Sequence, residues 1–160
     1  MAMNEMPITA RGLREVENEL ERLIRVEREE IKKAISEARE LGDLSENAEY
    51  QYAKERQSHI EGRIAQLQGI MANSRIVEVG KIKSDRITFG ATVTLLDVEK
   101  ETTLSYQIVG NDEADISKSR ISYLSPLGKA LIGKQAGETI AVRAPKGNIE
   151  YEIDSFEYIE

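Results

Sequence analysis

The sequence predicts an α+β protein in two parts. An N-terminal antiparallel α-helical coiled-coil hairpin is expected over residues 1–79 and a small antiparallel α+β domain over residues 80–160. Three observations carry this. Apolar residues recur at steps of three and four up to about residue 71, no proline interrupts that stretch after Pro7, and from about residue 80 the apolar period falls to two. Steps of three and four keep one face of a 3.6-residue helix apolar, whereas alternation belongs to a strand with one buried face.

The first helix is expected to start after Pro7 and Ile8 with Thr9 as N-cap, since a Thr hydroxyl can accept from an unpaired first-turn amide. Its apolar face runs through Leu13, Val16, Leu20, Leu23 and Ile24, then Ile31, Ile35 and Ala38. A second series, Ala53, Gln57, Ile60, Ile64, Leu67 and Met71, alternates steps of four and three, a heptad seam with one polar position. A tight turn at Gly42 and Asp43 would fold the two into a hairpin. Helices of roughly 30 residues extend about 45 Å at the α-helical rise, so residues 42–50 are expected to form a tip.

The second part reads as strands at 87–98, 102–110, 138–144 and 149–159, with "PKGN" as the turn between the last two. Between them "SPLGKALIG" is expected to be a short helix, with Ser125 as N-cap, Pro126 at the first helical position and Gly133 as its stop.

Composition narrows the function. The chain has no cysteine, one histidine, no tryptophan and only two phenylalanines, with a formal charge of −7 spread over both parts. Disulfides and thiolate metal sites are excluded, and the few aromatic residues make a stacking platform for single-stranded nucleic acid a poor fit. Without a general basic field, sequence-specific DNA binding is not expected, and any phosphate contact must be local. No apolar run is long enough for a signal peptide or membrane span, so the cytoplasm is the expected compartment. His59, beside the seam residue Ile60, has no partner ligand in sequence and reads as an ordinary helix residue.

The stretch "LGDLSENAEY" at 41–50 carries Asp43, Glu46 and Glu49 at the turn. Two readings are open. In one, Asp43 caps the second helix and Glu46 is the reciprocal acid of a capping box. In the other, acids three apart at the end of a thin rod form an incomplete oxygen-ligand site of the kind Mg²⁺ accepts, to be completed by another protein.

The segments "EARELGDLSENAEYQYAKERQ" (37–57), "FGATVTLLD" (89–97), "YQIVGNDEAD" (106–115) and "ISYLSPLGKALIGKQAGE" (121–138) resemble the GreA/GreB family of bacterial transcript-cleavage factors. The resemblance runs through essentially the whole chain. It implies a coiled coil that enters the secondary channel of RNA polymerase and a C-terminal domain of FKBP-like fold that docks at the channel mouth. It further implies that Asp43 and Glu46 complete the coordination of a Mg²⁺ shared with polymerase, whose own site then cleaves the backtracked RNA 3′ end. The factor itself would be no enzyme.

By the same resemblance Asn47, Glu49 and Tyr50 support the tip, while Arg39 and Lys54 face the extruded RNA. Ser125, Pro126 and Leu127 fall in the loop that meets the polymerase. Leu124 departs from the polar residue frequent in the family, and Ser45 replaces a frequent basic residue. Rival readings are a prolyl isomerase, for which Phe89, Phe156 and a few tyrosines offer little pocket, a coiled-coil chaperone, and a channel-occupying inhibitor.

Overall fold

The computed structural model describes residues 5–42 and 47–160. They form two compact units: Leu13–Ser74, and Arg75–Glu160 together with the start of the chain through Gly12. A single cut near residue 80 does not describe this division. Strand β1 (Met6–Thr9) pairs with β2 (Ser74–Val77) in a two-stranded sheet, returning the start of the chain to the second unit.

The first unit is a helical hairpin. Helix α1 (Ala10–Arg22) passes through a π turn, Leu23–Glu27, into α2 (Arg28–Arg39), and α3 (Ala48–Asn73) returns. Thr9 caps α1 as the sequence predicts, its Oγ accepting from the Gly12 amide at 3.0 Å. Val16, Leu23, Ile31 and Ala38 are buried on the outgoing arm and Ala53, Ile60, Ile64 and Leu67 on the returning one. Along the outgoing arm the buried positions are separated by seven, eight and seven residues. The π turn absorbs the extra residue: the Arg28 amide reaches the Leu23 carbonyl five residues back instead of four. The apolar seam therefore stays on one face.

Among the described residues two bidentate ion pairs join the arms. Arg28 donates to both Glu61 oxygens at 2.8 Å, and Arg63 donates to those of Glu19 at 2.6 and 2.8 Å. The Arg63 hydrogen bonds hold the Glu19 carboxyl below its usual value, against an opposing contribution from burial.

The second unit is a five-stranded sheet of order β5-β4-β3-β7-β6, built from β3 (Thr92–Asp97), β4 (Thr102–Val109), β5 (Arg120–Ser122), β6 (Thr139–Ala144) and β7 (Gly147–Glu157). The sheet is antiparallel as expected except at one edge, where the short β5 runs parallel to β4. The chain reverses twice between them through short 3₁₀ turns at Asn111–Glu113 and Ile116–Lys118. Fully buried Val93, Leu95, Ile108 and Ile153 pack with Leu131 of helix α4 (Pro126–Leu131). Each such side chain contributes about 1.5–3 kcal/mol.

The strand expected from residue 87 begins only at Thr92. Ile87 is buried, yet its backbone bonds pair with the segment after α4, its amide to the Lys134 carbonyl and its carbonyl to the Gly133 amide, both at 2.8 Å. Apolar alternation marks burial there, not membership of the ladder.

Glu113 is a buried carboxylate that ties the chain start to this unit. It accepts from the Thr9 amide at 3.1 Å, the Gly110 amide at 2.9 Å and the Thr9 hydroxyl. A side chain at Gly12 would overlap the Glu113 carboxylate, so the close approach requires glycine.

Candidate functional site

The hairpin end is organised by Asn47. Helix α3 begins at Ala48, and Asn47, in extended backbone conformation, caps it: Oδ1 accepts from the Tyr50 amide at 3.0 Å. Its Nδ2 donates to the Ala38 carbonyl, in the last turn of α2, at 2.6 Å. One side chain thus satisfies an orphan amide of one helix and a carbonyl near the end of the other. The alternative that assigned the α3 cap to Asp43 and the reciprocal acid to Glu46 is overturned, because the cap is Asn47 and the first-turn acid is Glu49. Asp43 and Glu46 themselves lie outside the described residues.

The Arg39 guanidinium lies over the Tyr50 ring, 5.9 Å from its centroid, a cation–π contact that joins the end of α2 to the first turn of α3. Glu49 is exposed, and Lys54, also exposed, donates to Gln57 at 3.3 Å. His59 is exposed as well.

A cleft of about 630 Å³ opens between the helices here, with Ile31, Ala38, Leu41, Ala48, Tyr52 and Ala53 on its walls. Leu41 and Tyr52 are 67% and 66% exposed. Sequence reasoning did not single them out. Their signal was available: two large apolar side chains flank the acidic turn at positions off the seam.

In the second unit Ser125 caps α4, accepting from the Gly128 amide at 3.0 Å and donating to the Ser122 carbonyl at 2.6 Å. Pro126 is exposed at the first helical position, while Leu127 is half-buried against the core. Leu124 stands 44% exposed beside them. A side chain at Gly128 would collide with the Ser122 carbonyl, which fixes this loop tightly on the helix. Among the described residues no group of three or more His, Cys, Asp or Glu side chains could hold a metal ion. No helix among them is long and apolar enough to cross a membrane.

Two family models match in tandem, one for the N-terminal part of a transcription elongation factor over residues 6–76 and one for the GreA/GreB C-terminal part over residues 82–158. Both describe transcription elongation factors, which sets the class. The chain belongs to the GreA/GreB family. It is 51% identical to the transcription elongation factor GreA of Rickettsia felis over 156 residues, 98% of this chain and 96% of the relative. Against GreA of an Anaeromyxobacter species it is 51% identical over 158 residues, 99% of this chain and 95% of that one. Among solved structures, GreA factor homolog 1 of Thermus thermophilus is similar at 30% identity and a TM-score of 0.44, covering 96% of this chain and 99% of that one.

Proposed function

We propose that the protein binds bacterial RNA polymerase, inserts the end of its helical hairpin as a coiled-coil tip into the secondary channel, and stimulates the polymerase's own Mg²⁺-dependent cleavage of backtracked RNA. Arrested complexes would thereby resume elongation. Family membership supports the setting. The observation that carries the reading is the pair of hydrogen bonds made by Asn47, which supplies the cap that Asp43 and Glu46 would otherwise be needed for.

The donor set fits a shared magnesium ion. Mg²⁺ takes oxygen ligands, keeps several waters and uses one or two carboxylates from any one protein. Asp43 and Glu46 would hold it, with polymerase supplying the remaining ligands. When bound, the ion stabilises the attacking and leaving oxygens of the displacement. A tip carboxylate next to the attacking water orients it and accepts its proton. Arg39 and Lys54 would offset phosphate charge on the extruded RNA without reading bases. Ser125 and Pro126, fixed by the α4 cap, would meet the channel mouth with Leu127 behind them, as the docking part of an FKBP-like domain. On this reading the protein hydrolyses nothing alone and works in the cytoplasm, where polymerase is.

The deciding experiment is release of short 3′ RNA fragments from a backtracked polymerase complex, comparing this protein with Asp43→Asn, Glu46→Gln and the double variant, with polymerase binding measured alongside. Loss of cleavage with retained binding is expected. Unchanged cleavage in the double variant would leave a channel-plugging or scaffolding role instead.

A further inference from the structure

We propose that the outer face of the second unit's sheet carries a separate binding pocket for a phosphate or diphosphate group. Strand register builds it. Thr92 pairs with Gln107 across β3 and β4, and Gln107 pairs with Arg120 across β4 and β5. These three stand side by side on one face, alternating with the buried Val93, Ile108 and Ile121 of the other. Ser105, two residues before Gln107, shares that face.

Two further cations converge on it. Arg11, from the first turn of α1, donates through Nη2 to Gln107 Oε1 at 2.7 Å, and buried Gln107 is itself fixed by its Nε2 donating to the Gly90 carbonyl at 3.2 Å. The Arg11 guanidinium is thus held in place, which lowers the ordering cost of binding an anion. Lys118 and Ser119 close the rim. Ser119 sits in the left-handed region at φ 58°, a conformation that costs a non-glycine residue on the order of 1 kcal/mol. Its carbonyl accepts from the Gln107 amide at 2.9 Å and so holds that rim to the sheet.

The resulting cavity of about 330 Å³ has Arg11, Lys118 and Arg120 on its walls together with hydroxyl and amide groups. In a chain of net charge −7, three cations around one polar cavity are a local reversal of sign. Asp115 is a carboxylate close enough to Lys118 and Arg120 to lower the field. It accepts from the Ser117 hydroxyl at 2.6 Å and amide at 3.0 Å, and it does not enter the cavity. Glu157, opposite Thr92 on β7, does not line the cavity either. A planar guanidinium fork, an ammonium and hydroxyl donors match phosphate oxygens. The phosphate can belong to a free nucleotide or to a nucleic-acid backbone; the chemistry recognised is the same.

Calorimetric titration of the full chain with inorganic pyrophosphate, and separately with a short single-stranded RNA, tests the site. Saturable binding of at least one is expected. Lys118→Gln combined with Arg120→Gln should weaken it by about tenfold or more, from the loss of charge-assisted bonds. Ser105→Glu, at an exposed position, should do the same while keeping every cation, and Lys129→Gln with Lys134→Gln on α4 and beyond should change nothing. Tighter binding of pyrophosphate assigns the site to a small phosphorylated ligand, and tighter binding of RNA to a strand backbone. No saturable binding of either, or undiminished affinity in the Lys118/Arg120 variant with an unchanged melting temperature, overturns the proposal.

Discussion

Asn47 bridges the two arms of the hairpin, donating to the Ala38 carbonyl at 2.6 Å while accepting from the Tyr50 amide at 3.0 Å. Alanine there removes both bonds, and the expected cost is about 1–2 kcal/mol. Asn47→Asp keeps the acceptor and suits the helix dipole but loses the donor, so it should fall between alanine and the parent. Urea unfolding and hydrogen exchange at the Tyr50 amide report both effects. An alanine variant as stable and as protected as the parent would show that the bridge carries no weight.

The hairpin was legible because burial every seven residues leaves a periodic trace, and Thr9, Ser125 and Pro126 carry their capping chemistry in their side chains. The pairing of "MPIT" with "SRIV" was not. Four-residue strands nearly 70 positions apart leave no local period, and their contact depends on the hairpin bringing the chain back. The parallel strand β5 is hidden because three residues are too few to show a period. At the site, Asp43 and Glu46 announced an acidic end, but their capping alternative failed because α3 starts only at Ala48, where the Asn47 side chain already accepts from the first turn. The convergence of Arg11 with Lys118 and Arg120 was invisible, since more than 100 residues separate them.

Glu113 links the chain start to the second unit through three hydrogen bonds to one buried carboxylate. Glu113→Gln removes the charge, keeps one oxygen for the two amides and turns a donor instead of an acceptor toward the Thr9 hydroxyl. Hydrogen bonds to a charged group are worth about 1.5–3 kcal/mol, and a loss of that order is expected. Gly12→Ala should destabilise through the same carboxylate, because the added methyl displaces it. Since both changes act on one group, their double variant should lose clearly less than the sum of the singles. Strict additivity in denaturant unfolding would contradict the shared mechanism.

The Glu19–Arg63 pair gives a signed pH dependence. The Arg63 hydrogen bonds lower the Glu19 carboxyl from 4.5, so the folded state holds its proton less tightly than the unfolded chain. The pair's stabilisation is therefore present above the unfolded value and is lost as pH falls through the folded one. Both side chains are about two-fifths exposed, which limits the coupling to about 0.5–1 kcal/mol. A double-mutant cycle with Glu19→Gln and Arg63→Met should give that coupling at neutral pH, less in high salt, and almost none once Glu19 is protonated. A coupling that survives acid would mean that packing of the Arg63 stem, not charge, joins these helices.

The π turn at Leu23–Glu27 makes a prediction about chain length. It accommodates one residue more than the heptad seam needs, between buried Leu23 and buried Ile31. Deleting Val26, which is 45% exposed, shortens the step between those positions from eight to seven and permits an uninterrupted α-helix with the same seam. The variant should fold with undiminished helical circular dichroism and a melting temperature equal to or above the parent's, at the cost of one exposed side chain. Deleting Ser36 instead leaves the bulge in place and rotates the arm beyond it by about 100°. Ala38 and Asn47 would then lose their alignment, and hairpin stability should drop by more than the 1–2 kcal/mol of a missing cap. If the two deletions were equally harmful, the π turn would be a fixed part of the arm and not an inserted residue.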